Sequence, residues 1–199
     1  MKFRLGIIFF FILSVHFSSH AQNYSFGLRV GYSQSDLKSD DVSAFDLKDR
    51  QAFSIGLVHS FRQYQSNLGF TIETGYLLKG VRIESESLDY RLHYINAPIL
   101  LDYYPTKKLK LSIGPEIGFL ADARNRLTDS TSITIDNVYD QRWDVSGTLG
   151  ISYALDFFVE VGARYNRSFT KFSNLDAQLN RRDQYAEYFQ FFLSFKIAN

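Results

Sequence analysis

The chain has 199 residues, enough for one domain and short for two, and is 45% hydrophobic and 22% charged with a net charge of +1. So even a balance speaks against nucleic-acid binding, which uses a basic face. The absence of cysteine excludes a disulfide framework, thiolate metal sites, a cysteine nucleophile and a lipid-modified cysteine anchor.

Residues 1–21 read as a secretory signal. Lys2 and Arg4 supply the charged start and Leu5–Val15 the apolar run, which is shorter than the roughly 20 residues of a membrane helix. Ser19 and Ala21 are the small residues of a cleavage site, so cleavage is expected after Ala21. The mature domain is then 22–199, and the loss of Lys2 and Arg4 takes the net charge from +1 to −1.

The mature chain alternates with period 2, which is a strand signal. Tyr24–Ser33 sets Tyr24, Phe26, Leu28, Val30 and Tyr32 against Ser25, Gly27, Arg29, Gly31 and Ser33. Ala52–Arg62 and Leu68–Val81 repeat the pattern, the latter with Glu73 and Lys79 on its polar side. Leu88–Tyr104 holds Pro98, which cannot donate to a sheet ladder, so a bulge there leaves the faces of Arg91, His93, Ile95 and Asn96 open. Leu109–Leu120 places Glu116 opposite an apolar side. Trp143–Leu155 does the same with Asp144, and Phe157–Asn166 with Glu160 and Arg164. In Tyr185–Ile197, Phe189, Phe191, Leu193, Phe195 and Ile197 face away from Gln190, Ser194 and Lys196.

These eight segments are joined by short turns at Gln63–Asn67, Pro105–Lys108 and Leu155–Asp156. Gln34–Arg50, Asn125–Tyr139 and Arg167–Gln184 are long, and Arg82–Ser87 is intermediate. Short turns at one end and long loops at the other are the pattern of an outer-membrane barrel. The fold expected is therefore all-β: an eight-stranded antiparallel transmembrane β-barrel, an up-and-down meander, in a Gram-negative outer membrane. The short turns and both termini would face the periplasm. Tyr24, Tyr32, Tyr76, Tyr103, Tyr104, Trp143, Tyr153 and Tyr165 lie towards strand ends and predict two aromatic girdles.

Eight strands leave an interior that side chains fill, which argues against an open pore. The charges of the polar parity are expected to form a lumen network, with Glu73, Glu116 and Glu160 meeting Arg29, Lys79, Arg164 and Lys196. Catalysis needs a nucleophile, a base and an orienting acid within reach. The mature chain offers only His59, expected to face lipid, and His93, near Ser87 and Asp89 in sequence. No metal-ligand spacing is present, and no catalytic, cofactor or metal site is expected. Partners expected are outer-membrane lipid and lipopolysaccharide, the barrel insertion machinery that reads a C-terminal strand, and a protein partner reached through the long loops. Arg181 and Arg182 are the residues expected to contact lipopolysaccharide or a partner, since arginine forks match phosphate.

Three stretches carry a family resemblance. Tyr94-Ile95-Asn96-Ala97-Pro98-Ile99-Leu100-Leu101-Asp102-Tyr103-Tyr104 resembles a segment of Bacteroidota outer-membrane barrels of the PorT-like group. Glu73-Thr74-Gly75-Tyr76-Leu77-Leu78-Lys79-Gly80 and Leu111-Ser112-Ile113-Gly114-Pro115-Glu116-Ile117-Gly118 are similar to its third-strand and fifth-strand signatures. The position two before Pro98, often acidic in that group, is Asn96. The resemblance implies a Bacteroidota source. The role expected is a non-enzymatic structural or interaction one; the alternatives are a part in type IX secretion and gliding, which the resemblance raises, and, separately from it, a lipid-modifying activity centred on His93.

Overall fold

A computed structural model describes residues 22–39, 47–63, 66–83, 88–127, 132–134, 142–170, 172–173 and 183–198. The expected leader, residues 1–21, lies outside the described residues, as do Arg181 and Arg182. The strands are β1 (Gln22–Ser39), β2 (Leu47–Gln63), β3 (Leu68–Ile83), β4 (Leu88–Tyr103), β5 (Leu109–Leu127), β6 (Ser132–Thr134), β7 (Trp143–Ala154), β8 (Val159–Ser168), β9 (Phe172–Ser173) and β10 (Asp183–Ala198).

Eight of them pair antiparallel in the order β1-β2-β3-β4-β5-β7-β8-β10, and β1 pairs β10 to close the sheet. The result is an eight-stranded up-and-down barrel. The short strands β6 and β9 extend the rim of β5 and β10 at the end where the connections are long.

The strands outrun their hydrophobic alternation. The pattern ends β1 at Ser33, whereas backbone pairing with β10 continues to Ser39. At the other end the pattern starts a strand at Phe157, whereas residues 155–158 form the turn. Asp156 Oδ1 accepts the Phe158 and Val159 amides at 2.7 Å each, and this leaves Phe157 81% exposed. Pro98 is buried towards the lumen and causes no register shift. The bulge lies on β5, where Ala121 stands between Leu120, opposite Tyr94, and Asp122, opposite His93.

The polarity is inside-out along most of the barrel. Exposed on the outer wall are Ile55 and Leu57 of β2, Ile95, Ile99 and Leu101 of β4, Ile113 and Ile117 of β5, and Phe189, Phe191 and Leu193 of β10. Buried within are Arg29, Glu73, Lys79, Asp102, Lys110, Glu116, Asp144, Glu160 and Arg164. A contiguous apolar outer wall of this extent requires an apolar medium. From Trp143 to Tyr153, strand rise and a tilt of about 40° give a band of roughly 25 Å, the thickness a transmembrane barrel presents.

Towards the loop end the outer wall turns polar and the interior partly apolar. Leu77, Leu92, Leu120, Ala123 and Ala186 are buried inside, while Gln34, Gln51, Arg124 and Arg167 are exposed outside. Apolar packing here joins the buried Lys79 and Asp144 inside, and the change to polar side chains outside marks one edge of the apolar band. Tyr24, Tyr103 and Tyr153 are exposed towards the turn end, and Tyr32, Tyr76, Trp143 and Tyr165 towards the loop end. Tyr104 departs from the expected girdle. It lies beneath the Arg62 guanidinium, 4.1 Å from carbon to ring centroid, with its ring edge 3.2 Å from where a Gly69 Cβ would stand.

Candidate functional site

The lumen is built by inward positions of strands far apart in sequence. Glu73, central on β3, takes Arg29 of β1 in an ion pair and Arg164 Nη2 of β8 at 2.9 and 3.0 Å. β3 and β8 stand on opposite sides of the eight-strand ring, so this contact spans the lumen. Phe192 of β10 lies under both cations, 3.9 Å from Arg29 Cζ and 4.9 Å from Arg164 Cζ to the ring centroid. An aromatic face and a shared carboxylate thus offset the repulsion between two buried guanidinium groups. The ring needs room: a Cβ on Gly162 would stand 2.7 Å from Ile151 O and overlap Phe192.

Towards the turn end, Glu160 of β8 pairs with Lys110 Nζ of β5 at 2.8 Å and lies 3.7 Å from Arg29 Nη2. Asp102 of β4 accepts hydroxyl hydrogen bonds from Thr71 at 2.5 Å and Ser112 at 2.6 Å. Towards the loop end, Lys79 Nζ of β3 meets Asp144 Oδ2 of β7 at 2.8 Å, and Ser168 Oγ donates to the other carboxylate oxygen. The same ammonium lies 4.8 Å above the Tyr94 ring and 5.3 Å above that of Tyr188. Glu116 of β5 accepts the Tyr188 hydroxyl at 2.7 Å and the Thr148 hydroxyl at 3.3 Å.

Of the seven residues expected in the network, six are buried charges of this lumen: Arg29, Glu73, Lys79, Glu116, Glu160 and Arg164. Their pairing differs in detail from the expectation. Glu116 is held by hydroxyls, and Lys79 by Asp144. Lys196 is half-buried near the turn end and forms no ion pair among the described residues. Lys110, Asp102, Asp144 and Tyr188 complete the arrangement. Asp144 already stands on the polar side of its strand in the sequence, and Lys110 and Asp102 lie on the polar parity of theirs, which is the signal that could have found them; the Tyr188 contact spans 72 residues and has no local signal.

Among the described residues the middle of the interior is closely filled. Around Glu73 it leaves two small cavities, of about 20 and about 10 Å³, both lined by Arg29, Glu73 and Arg164. Each is near the size of one water. Among the described residues, the charges at this level are committed to one another and to hydroxyls.

Both histidines of the expected mature chain lie on the outer wall. The Tyr24 hydroxyl and His59 Nδ1 are 2.8 Å apart near the turn end, beside Phe26. His93 Nδ1 is 2.5 Å from the Tyr76 hydroxyl near the loop end. Ser87 and the Asp89 side chain, near His93 in sequence, fall outside the described residues.

Residues 3–174 match the family model for the outer membrane protein beta-barrel domain. No curated protein matches the chain in sequence. Among solved structures the chain is similar to Neisserial surface protein A, at 17% identity over 88% of this chain and 99% of that one, with a TM-score of 0.56. It is also similar to the attachment invasion locus protein Ail of Yersinia pestis, at 15% identity over 90% and 100% and a TM-score of 0.52. A major outer membrane protein of Thermus thermophilus aligns at 10% identity over 89% and 100%, with a TM-score of 0.51. At these identities the likeness is one of fold.

Proposed function

The chain belongs to the family of outer membrane proteins with a β-barrel domain, and on that premise we propose that it is a non-enzymatic structural or interaction protein, acting through its outer rim and long loops. The observation that carries this reading is the filled lumen. The interior charges are spent on cross-barrel pairs, so they neither conduct nor bind, and the surfaces left for function are the outer wall and loops. In this reading residues 1–21 are removed at Ala21, the short turns face the periplasm, and the loops, with Arg181 and Arg182, face outward towards lipopolysaccharide or a protein partner.

Two measurements test it together. Purified protein in a planar bilayer should give no conductance steps, and the acylation of lipid A should be the same with and without the gene. Unitary conductance would make the protein a channel. A change in lipid A that disappears in a His93→Ala strain would make it a lipid-modifying enzyme.

The narrower kinship with the PorT-like group of Bacteroidota rests on the segment from Tyr94 to Tyr104. That segment forms the inward Tyr94, Asn96, Pro98, Leu100 and Asp102 ladder of β4. A role in type IX secretion would require loss of secreted cargo or of gliding on deletion; normal secretion and motility would retire it.

A further inference from the structure

At the turn end of the barrel, one backbone arrangement recurs with different side chains. The carbonyl just before β3, β5 and β8 accepts an amide from the end of the neighbouring strand in each case. Asn67 O takes Tyr104 N at 2.7 Å, Lys108 O takes Ala154 N at 2.8 Å, and Phe158 O takes Lys196 N at 2.7 Å. The turns before β5 and β8 are also capped alike. Thr106 Oγ1 accepts the Lys108 and Leu109 amides at 3.3 and 3.0 Å, as Asp156 Oδ1 accepts those of Phe158 and Val159. The two equivalent positions read Ser66-Asn67 before β3, Lys107-Lys108 before β5 and Phe157-Phe158 before β8. Backbone geometry therefore does not dictate apolar side chains in the last of these turns.

Phe157 and Phe158 are 81% and 65% exposed, and Leu155, which opens the same turn, is 54% exposed. The Leu155 amide also donates to Val159 O at 2.9 Å, so the backbone that carries these side chains is tied within the turn and to β10. The patch runs on into the outer wall through Tyr153 of β7, Val161 of β8, and Phe195 and Ile197 of β10, all exposed. A contiguous apolar patch marks an interaction surface. Continuity with the lipid-facing wall selects its occupant, the interfacial region of the membrane, where aromatic side chains settle. Lys108 of the neighbouring turn, its Nζ 5.8 Å from the Tyr153 ring centroid, places a cation at headgroup height beside the patch. In the ring order of the strands, the Ser66-Asn67 turn stands opposite the Phe157-Phe158 turn.

Resting on the reading of this chain as an outer-membrane barrel with its short turns in the periplasm, we infer that Leu155, Phe157 and Phe158 form a lipid-binding wedge, seated in the periplasmic leaflet while the turns before β3 and β5 lie in water. The barrel is immersed unevenly, deeper along β7, β8 and β10.

The chain has no cysteine, so a nitroxide spin label can be placed at one site at a time. Purified protein carrying Phe157→Cys, Phe158→Cys, Lys107→Cys, Asn67→Cys or Ile151→Cys is labelled and reconstituted in phosphatidylcholine vesicles. Relaxation of each label is measured with oxygen, which concentrates in the bilayer, and with a nickel chelate, which stays in water. Labels at positions 157 and 158 should favour oxygen, as the label at position 151 in the band does. Labels at positions 67 and 107 should be several-fold more accessible to nickel. Mobility with and without boiling identifies the folded variants, and either position 157 or position 158 alone decides the outcome. Equal nickel access at positions 107 and 157 would overturn the wedge, as expected of a turn kept in water for a protein partner. Label–label broadening at position 157 that disappears on dilution with unlabelled protein would also overturn it, by assigning the face to a second copy. A further variant separates a wedge from a passive position. With the label at Leu155→Cys, Phe157→Ser/Phe158→Ser should raise nickel access at position 155 and leave position 151 unchanged; unchanged access at position 155 contradicts the proposal. Failure of the underlying reading would look different: the label at position 151 would itself favour nickel.

Discussion

Glu73 is the residue on which the interior depends most. It neutralises Arg29 and Arg164 at once, and both guanidinium groups are buried. Removing one partner of a buried pair leaves uncompensated charge, at a cost of about 3–5 kcal/mol. Glu73→Ala should therefore lower the unfolding temperature in detergent markedly, and Glu73→Gln, which keeps the shape, should recover only part of the loss. Unchanged melting of both variants would show that the cluster contributes nothing to stability. Gly162 makes a second case. Gly162→Leu must drive a side chain into Phe192 and the Ile151 carbonyl, and the variant should fail to reach its folded electrophoretic form. Refolding in normal yield would mean that the strand can move away. These positions differ in how legible they were. The inward face of Glu73 follows from parity alone. The role of Phe192 was hidden in a run where Phe189, Phe191, Phe192, Leu193 and Phe195 are all apolar, and only alternation separates the ring inside from those outside.

Single strands carry two patterns, one for each medium. On β4, Ile99 and Leu101 face outward in the apolar band, whereas Leu92 faces inward above it. Ile99→Arg should impair insertion, at roughly 2–4 kcal/mol if the site is at the bilayer midplane. Leu92→Lys should destabilise the loop end by burying a second ammonium directly opposite Lys79, while Gln51→Lys, outward and already polar, should change little. Refolding into lipid vesicles over a denaturant series measures all three. Equal tolerance of Ile99→Arg and Gln51→Lys would contradict the placing of the band edge. Strand order, parity and the short turns were readable because period 2 is local and persistent. The Ala121 bulge was not, since Leu120 and Ala121 are both apolar and carry no turn residue. Nor was the continuation of β1 to Ser39, because beyond the band the outward positions are polar and backbone pairing alone defines the strand.

Over the whole molecule, the account rests on one physical inversion: charge inside and hydrocarbon outside through the band, giving way near the loops to a polar outside and a partly apolar inside. Closure through β1 and β10 leaves no long unpaired edge, which is the condition for strands to cross a membrane. The fold was legible at this scale because the medium writes itself into the side-chain order. The ligand and partner were not, because they depend on the rim and loops, where no periodic constraint operates. The most direct test of the central claim is electrophoretic mobility of the outer-membrane fraction, with and without boiling. A closed transmembrane barrel resists detergent until heated, so the account predicts a band that shifts on boiling and a heated mass matching residues 22–199. A band of unchanged mobility, found in the soluble periplasmic fraction, would contradict it.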